Sequence, residues 1–249
     1  MPAENVEIVF VIDTSDSMQP YIDALKSNIS CLLKPLQQMN YNIRLGIVAH
    51  SVTGHGICSI RFLSPCNQSL LKKMYGGQYN IDDFFTQDLD RFMTVVDSLT
   101  TQGDEDTLLG IDFALDFPFG SLKDTRRVIA FFSDECIENG EMSPNWQGIL
   151  PRIVEKIMAR KVMLFGFVPK SSAALTLSEA ERSEITFIDP SNFGQISFNK
   201  LLSAMGKSIS VSTLQLVKEP SYSKALFGQD LWTAGKGDKN FHDNSIKTQ

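Results

Sequence analysis

Short apolar runs recur along the chain and are separated by segments with helical spacing of their apolar residues. The first run, VEIVFVI at residues 6–12, is almost continuously apolar and rich in β-branched residues. A strand with this pattern is buried on both faces, as in a parallel sheet that helices cover on both sides. The sequence therefore predicts an α/β fold with a doubly wound, mainly parallel central sheet, helices on both faces and one antiparallel edge strand. The predicted strands are residues 6–12, 43–49, 57–63 (the edge strand), 128–133, 162–168 and 184–188.

Apolar residues spaced three and four apart predict helices between these strands. The predicted helices are residues 18–39, 84–99, 107–117, 146–160, 172–183 and 197–211. Residues 1–218 thus form one predicted domain. The segment 219–249 has three glycines and only scattered apolar residues, which predicts a C-terminal tail that is flexible or ordered by a partner. The predicted core includes Phe84, Phe85 and the gap-filling methionines Met18, Met39, Met74, Met93, Met158, Met163 and Met205.

Composition narrows the classes of partner. The chain has 29 acidic and 23 basic residues and a net charge of −6. Proteins that bind nucleic acids or anionic membranes generally carry the opposite charge, so we expect neither partner. No run reaches the roughly 18–20 apolar residues that cross a membrane, and the first residues lack the pattern of a signal peptide. Four scattered cysteines without a C-x-x-C pair are typical of reduced thiols, so we expect a cytoplasmic protein.

Polar side chains follow two of the predicted buried strands. The sequence DTSDS at 13–17 follows the first strand, and Asp134 follows the strand at 128–133. In open α/β sheets, ligands bind beyond the carboxyl ends of the strands, so these groups are expected to lie near one another. Asp13, Ser15 and Ser17 alternate along the chain, and a loop can turn all three towards one point. Carboxylate, hydroxyl and water oxygens suit a hard cation such as Mg²⁺, which is commonly held by one or two carboxylates.

This pattern resembles the metal-ion-dependent adhesion site, D-x-S-x-S, of the von Willebrand factor A family, which has a Rossmann-like fold. The resemblance covers about residues 4–211 and rests on the motif, its strand context and the order of the elements. It implies that Asp13, Ser15, Ser17 and Asp134 hold a divalent cation, Mg²⁺ with Mn²⁺ or Ca²⁺ as alternatives. It also implies an intracellular protein of prokaryotic type.

That family usually has a further ligand between the D-x-S-x-S motif and the late aspartate, here called the middle ligand. It is usually a threonine in a glycine-rich loop before a helix. The loop here reads GDEDT, and counting back from the following helix puts the threonine position nearer Glu105 than Thr107. Either Thr107 is the ligand because the loop follows a different path, or Asp104 or Glu105 replaces it. The replacing carboxylate would bind the cation directly or through a water molecule. An extra carboxylate would favour cation binding but weaken capture of an acidic partner group. Glu135 is a second departure, because it follows Asp134 where the family often has glycine.

The same residues also have purely structural interpretations. Ser15 or Ser17 can cap the helix that follows them, and either aspartate of the GDEDT loop can sit at the positive end of the next helix. His50 and His55 are expected at the surface or in a loop rather than as ligands. Trp146 is expected to anchor its helix.

Three functions are compatible with these residues. The first is a binding module, in which a partner protein completes the cation's coordination with an acidic side chain. The family resemblance implies that such a module works in a multi-protein assembly or beside an AAA+ ATPase; the sequence itself has no Walker A motif. The second is a Mg²⁺-dependent phosphatase or phosphotransferase of the haloacid dehalogenase type, which needs D-x-D where this chain has Ser15 in the second place. The third is a metal-free scaffold. No complete catalytic set is evident, so we expect no enzyme.

Overall fold

The computed structural model describes residues 5–53, 57–191 and 198–215. Six strands of these residues form one sheet: β1 Asn5–Asp13, β2 Asn42–Thr53, β3 Ile57–Arg61, β4 Thr125–Phe132, β5 Met163–Val168 and β6 Ser183–Phe187. Their order across the sheet is β3-β2-β1-β4-β5-β6. Only β3 runs antiparallel to its neighbour, and it lies at an edge. The predicted α/β fold with an antiparallel edge strand is confirmed.

Helices cover both faces of this sheet. In chain order they are α1 Gln19–Gln38, α2 Gln68–Tyr75, α3 Leu89–Asp97, α4 Thr107–Leu115, α5 Trp146–Arg160, α6 Ser172–Glu179 and α7 Phe198–Gln215. The first, third and seventh helices pack on one face, and the other four pack on the opposite face. Within the described ranges, no helix combines the length and the apolar character needed to cross a membrane.

The two faces of β1 belong to two separate cores. Ile8 and Phe10 contact the core under α1, α3 and α7, whereas Val9 and Val11 contact the core under α2, α4, α5 and α6. All four side chains are fully buried, and each such burial stabilises the fold by about 1.5–3 kcal/mol. Successive side chains of a strand point to opposite faces, so the continuous apolar pattern follows from helices on both sides.

The helix predicted over residues 84–99 begins too early. In the structure only α3 is helical there, because Thr86 pairs with Leu45 through two backbone hydrogen bonds of 2.8 and 2.9 Å. That pairing fixes the backbone at Thr86, and the confirmed core residues Phe84 and Phe85 lie in the turn that follows the short 3₁₀ helix Ile81–Asp83. Long-range pairing therefore overrides the helical spacing of the aromatic residues.

The remaining differences from the predictions are smaller, and two predictions fall outside the described residues. The eight-residue helix α2 was not predicted. Met39 and Met158 are 42% and 37% exposed, so their assignment to the core is wrong. The predicted tail 219–249 lies outside the described residues, and so does His55.

The strand order fixes where a ligand site can lie. From β1 the chain adds β2 and β3 on one side and then crosses to add β4, β5 and β6 on the other. The carboxyl ends of β1 and β4 therefore flank the point at which the direction of winding reverses. Loops diverge at such a switch point and leave a crevice for a ligand. Asp13 and Asp134 lie at these two strand ends.

Candidate metal centre

Asp13 is the last residue of β1, and its side chain is completely buried. One carboxylate oxygen, Oδ1, accepts the Ser15 backbone N–H at 2.8 Å. The other, Oδ2, accepts the Ser133 hydroxyl at 3.1 Å. Two neutral donors only partly replace the water that a buried carboxylate loses, so Asp13 retains unbalanced negative charge.

The two serines of the motif do not act as helix caps. Ser15 precedes the short 3₁₀ turn Asp16–Met18, and its side chain makes no capping bond. The buried Ser15 hydroxyl is close enough to Asp13 to lower its pKa, yet it forms no hydrogen bond of normal geometry with any described residue. Ser17 is exposed, and its hydroxyl lies close enough to the Asp134 carboxylate to lower the pKa of that group. The capping interpretation of these serines is therefore wrong.

Asp134 is the second residue after β4, and its carboxylate lies near Ser17 of the first loop. The nearby Ser17 hydroxyl lowers the pKa of this carboxyl, and its buried Oδ1 has no hydrogen-bond partner among the described residues. Ser133 orders this turn, because its Oγ accepts the Glu135 N–H at 3.2 Å while its hydroxyl donates to Asp13. Ser133 was not singled out from the sequence; the only available signal was a hydroxyl directly after a buried strand.

In the middle loop, the Glu105 carboxylate interacts electrostatically with Asp13. The charges of Glu135, Asp13 and Asp104 all act on Glu105, whereas Asp104 is exposed and pairs with the end of β2. Thr107 is the first residue of α4, and its side chain is buried. The roles of Glu105 and Thr107 as ligands stay predictions.

Asp106 has a structural role that fully occupies its carboxylate. Its Oδ1 accepts the Leu109 N–H at 3.0 Å and the Ser143 hydroxyl at 2.8 Å, and its Oδ2 accepts the Met142 N–H at 2.9 Å. The residue is completely buried and caps α4. The interpretation of a loop aspartate as a helix cap is correct for Asp106, which also ties α4 to the loop after β4.

Backbone hydrogen bonds join the three loops around the centre. The Gln102 N–H donates to the Thr14 carbonyl at 2.8 Å, which links the middle loop to the first loop. Val52 and Asp104 exchange two bonds of 2.7 Å each. The Glu141 N–H donates to the Glu105 carbonyl at 3.3 Å, which links the middle loop to the loop after β4. The candidate ligands are therefore held on one connected frame.

The carboxylates of this centre are electrostatically unfavourable without a cation. Burial, followed by the charge of Glu135, raises the pKa of Asp13 to about 6 against the hydrogen bonds from Ser15 and Ser133. Burial and the charges of Glu135, Asp13 and Asp104 raise the pKa of Glu105 to about 7. Burial and the charge of Asp13 likewise raise the pKa of Asp134. Proton uptake is one way to relieve such a cluster, and a bound cation is the other.

The donor set fits a hard cation better than a soft one. Among the described residues, no three side chains of His, Cys, Asp or Glu converge to hold a metal by themselves. A cation here would depend on Asp13 and Asp134 together with hydroxyl and water oxygens, which is the usual environment of Mg²⁺. The buried, unpartnered Ser15 hydroxyl and Asp134 Oδ1 are the observations that fit such an ion.

His50 lies deep in the structure, so its predicted place at the surface or in a loop is wrong. It belongs to β2, is 1% exposed, and pairs with Asp13 across the strands. Neither ring nitrogen has a hydrogen-bond partner in the described part of the chain. Burial lowers the pKa of His50 to about 4. Gly110 of α4 makes room for the ring, because a Cβ there would lie 2.4 Å from His50 Cδ2.

The fold, but not the sequence, matches known proteins. No protein-family model matches this sequence, and no curated protein sequence matches it significantly. Among solved structures, the fold is similar to a chain described as von Willebrand factor type A from Catenulispora acidiphila, with a TM-score of 0.54. The chain has the fold of a von Willebrand factor A domain. The match has 16% sequence identity and covers 82% of this chain but only 43% of that one, so this chain spans less than half the length of that neighbour.

The raised pKa of Asp13 predicts an unusual pH dependence for the metal-free protein. Its ordinary pKa is 3.8 and its folded pKa is about 6, so the folded state holds this proton more tightly. As pH rises from about 4 to about 6, the free energy of unfolding should fall by up to about 3 kcal/mol from this group.

Urea unfolding in EDTA at several pH values, compared with Asp13→Asn, measures this contribution together with the effect of the Asp13 charge on the protonation of Glu105 and Asp134. The lowered pKa of His50 acts in the opposite direction, but it is common to both proteins and cancels in their difference. The same pH slope in the wild type and in Asp13→Asn would contradict the prediction.

Proposed function

We propose that this chain is a protein-interaction module that binds its partner through a divalent cation at the carboxyl edge of the sheet. The observation that carries the proposal is the buried Ser15 hydroxyl and Asp134 Oδ1, both without partners beside the buried carboxylate of Asp13. Buried polar atoms are almost always hydrogen-bonded. Two orphaned oxygens beside a buried charge are therefore expected to have a ligand in the working protein.

Asp13, Ser15, Ser17 and Asp134 would hold the ion, which we propose to be Mg²⁺, with Mn²⁺ or Ca²⁺ as substitutes. Two carboxylates and several hydroxyls leave coordination positions for water or for an outside group. When bound, the cation supplies a positive centre that a carboxylate of another protein can reach. The surrounding charges on Glu105 and Glu135 support a cation rather than an anion as the resident group.

Glu105 is proposed to take the place of the middle ligand through a bound water, with Thr107 or Asp104 as the alternatives. Its charge would strengthen cation binding and leave less positive charge for an acidic partner. We therefore propose a partner that offers an acidic side chain and adds contacts outside the ion. Such a partner can be a cytoplasmic assembly subunit or an AAA+ ATPase.

Calorimetric titration with Mn²⁺ tests the site without knowledge of the partner. The wild type should bind one Mn²⁺, and Asp13→Ala should lose binding because one of two carboxylate ligands is removed. Asp23→Ala is the matched control, because Asp23 is an exposed aspartate of α1. Equal affinity in Asp13→Ala and the wild type, or no Mn²⁺ binding by the wild type, would contradict the proposal.

The same titration identifies the middle ligand. Glu105→Gln should weaken Mn²⁺ binding roughly tenfold, as expected for loss of one charged ligand worth about 1.4 kcal/mol. Asp104→Asn removes the same charge from the neighbouring, exposed position and should change affinity much less. The reverse order of effects would assign the ligand to Asp104. Mg²⁺-dependent hydrolysis of a phosphate ester that is lost in Asp13→Asn would instead favour the phosphatase.

A further inference from the structure

The three loops around the candidate metal centre are strongly acidic. Residues 13–18, 100–106 and 133–145 contain nine acidic residues and no lysine, arginine or histidine. The described residues directly after β5 and β6, 169–171 and 188–191, add one lysine and one aspartate. The chain as a whole has 29 acidic and 23 basic residues. Negative charge is therefore concentrated at this edge of the sheet rather than spread evenly over the protein.

Four of the nine acidic residues belong to the proposed cation site or to the fold. Asp13 and Asp134 are proposed cation ligands, Asp106 caps α4, and Glu138 Oε1 accepts the Ala173 N–H at 2.8 Å. The other five are here called the acidic rim: Asp16, Asp104, Glu105, Glu135 and Glu141. All five are exposed or half-buried. Within the described ranges, none of them forms an ion pair.

Hydrogen bonds place members of the acidic rim beside the buried carboxylate of Asp13. The Glu135 N–H donates to Ser133 Oγ at 3.2 Å, and the Ser133 hydroxyl donates to Asp13 at 3.1 Å. The Glu141 N–H donates to the Glu105 carbonyl at 3.3 Å. The charge of Glu135 acts on the carboxyl groups of both Asp13 and Glu105. The rim and the proposed cation site thus share one electrostatic environment.

A buried hydroxyl indicates independently that a ligand binds at this place. Ser15 is 3% exposed, and its Oγ has no hydrogen-bond partner among the described residues. The hydroxyl is close enough to the Asp13 carboxylate to lower the pKa of that group. Buried polar atoms are almost always hydrogen-bonded. The expectation of a ligand therefore does not depend on the charges of the rim.

The acidic rim restricts the chemistry of a partner, an argument that rests on the proposed function. A divalent cation carries two positive charges, which the carboxylates of Asp13 and Asp134 balance. The charges of the rim remain and repel a carboxylate that approaches the ion, because like charges brought together at an interface are unfavourable. We propose that the partner presents its acidic residue within a basic segment, whose lysine or arginine side chains pair with the acidic rim.

An exposed methionine extends the proposed contact surface. Met142 is 46% exposed, and its N–H donates to Asp106 Oδ2 at 2.9 Å, which fixes the backbone next to Glu141. Lysine and arginine pack their methylene groups on apolar surface while the charged end stays in water. Met142 therefore offers a contact for the stem of a basic side chain whose charged end pairs with Glu141.

Fluorescence anisotropy in Mn²⁺ at low ionic strength, with three labelled peptides blocked at both ends, tests the proposal. The peptides are GKKDKKG, GSSDSSG and GKKNKKG. The wild type should bind GKKDKKG roughly tenfold more tightly than GSSDSSG, because the lysines pair with the acidic rim. It should bind GKKDKKG roughly tenfold more tightly than GKKNKKG, because asparagine supplies no carboxylate to the ion. EDTA should abolish this second preference.

The double variant Asp16→Asn, Glu141→Gln removes two charges of the rim and no proposed cation ligand. It should weaken binding of GKKDKKG about fivefold, since exposed ion pairs contribute little individually, and should not weaken binding of GSSDSSG. The matched control is Asp124→Asn, Glu181→Gln, which removes the same charges from exposed residues that precede β4 and β6, at the opposite edge of the sheet. The control should change neither affinity by more than about twofold.

Three results would overturn the inference and leave the proposed function standing, provided that the protein binds Mn²⁺. They are equal affinities for GKKDKKG and GSSDSSG, equal affinities for GKKDKKG and GKKNKKG, and unchanged binding of GKKDKKG by the rim variant. Absence of Mn²⁺ binding in the calorimetric titration would instead overturn the proposed function and this inference with it.

Discussion

Replacing Asp106 by alanine should destabilise the protein by about 3 kcal/mol or more. The buried carboxylate accepts three hydrogen bonds, from the Leu109 and Met142 amides and from the Ser143 hydroxyl. Loss of a helix cap costs about 1 kcal/mol, and each buried donor left without an acceptor costs about 1–3 kcal/mol. Asp106→Asn should also be destabilised, because both carboxylate oxygens face donors and an amide NH₂ would oppose one of them.

Asp88→Ala is the matched control for this prediction. Asp88 caps α3 through bonds to the Asp90 and Arg91 amides, but it is exposed to solvent. Water can replace its bonds, so the cost should be about 1 kcal/mol. Urea unfolding in EDTA measures both variants. A cost for Asp106→Ala no greater than that for Asp88→Ala would show that the buried bonds to the loop after β4 contribute nothing.

Gly103→Ala should destabilise the protein by about 3 kcal/mol, a large effect for one added methyl group. Gly103 has φ of 75°, and a Cβ there would lie 2.2 Å from the Val52 carbonyl oxygen. That oxygen already accepts the Asp104 N–H, and Val52 donates to Asp104 in return. The loop must move away, so both backbone bonds are lost at about 1 kcal/mol each, in addition to about 1–2 kcal/mol for the left-handed conformation.

Gly77→Ala separates the conformational cost from the steric one. Gly77 has φ of 70°, and nothing lies within 4 Å of the added Cβ. It should therefore lose only about 1 kcal/mol. Thermal and urea unfolding of the two variants give the comparison. Equal decreases in the free energy of unfolding would contradict the prediction, because they would mean that displacing the Val52–Asp104 backbone pair costs no stability. If the metal site is as proposed, Gly103→Ala should also weaken Mn²⁺ binding, because Glu105 follows in the same loop.

The sequence predicts those elements whose conformation is determined by the local pattern of apolar residues. The apolar run at 6–12 predicts β1, and the position of Asp13 directly after that run places it at the carboxyl edge of the sheet. Prediction fails where distant residues decide the conformation. Phe84 and Phe85 have helical spacing but do not belong to α3, which begins only at Leu89 after Thr86 has paired with Leu45.

The candidate site shows the same division. His50 lies in a polar stretch, and pairing with β3 extends β2 past it and buries it. The motif residues and Glu105 could be selected by counting along the sequence. The contribution of Ser133 could not, because its bond to Asp13 joins residues 120 positions apart. The third bond of Asp106, to Ser143, likewise depends on a loop whose path no local pattern determines.

The hydrogen bonds between the three loops also bear on how quickly the proposed partner would associate. The amides of Gln102, Asp104, Glu141 and Met142 each bridge two separate segments, so one loop cannot open without breaking bonds to another. Such amides should exchange with solvent through a shared opening rather than one by one. A surface of this kind is preformed before contact, and encounter rather than rearrangement then sets the association rate.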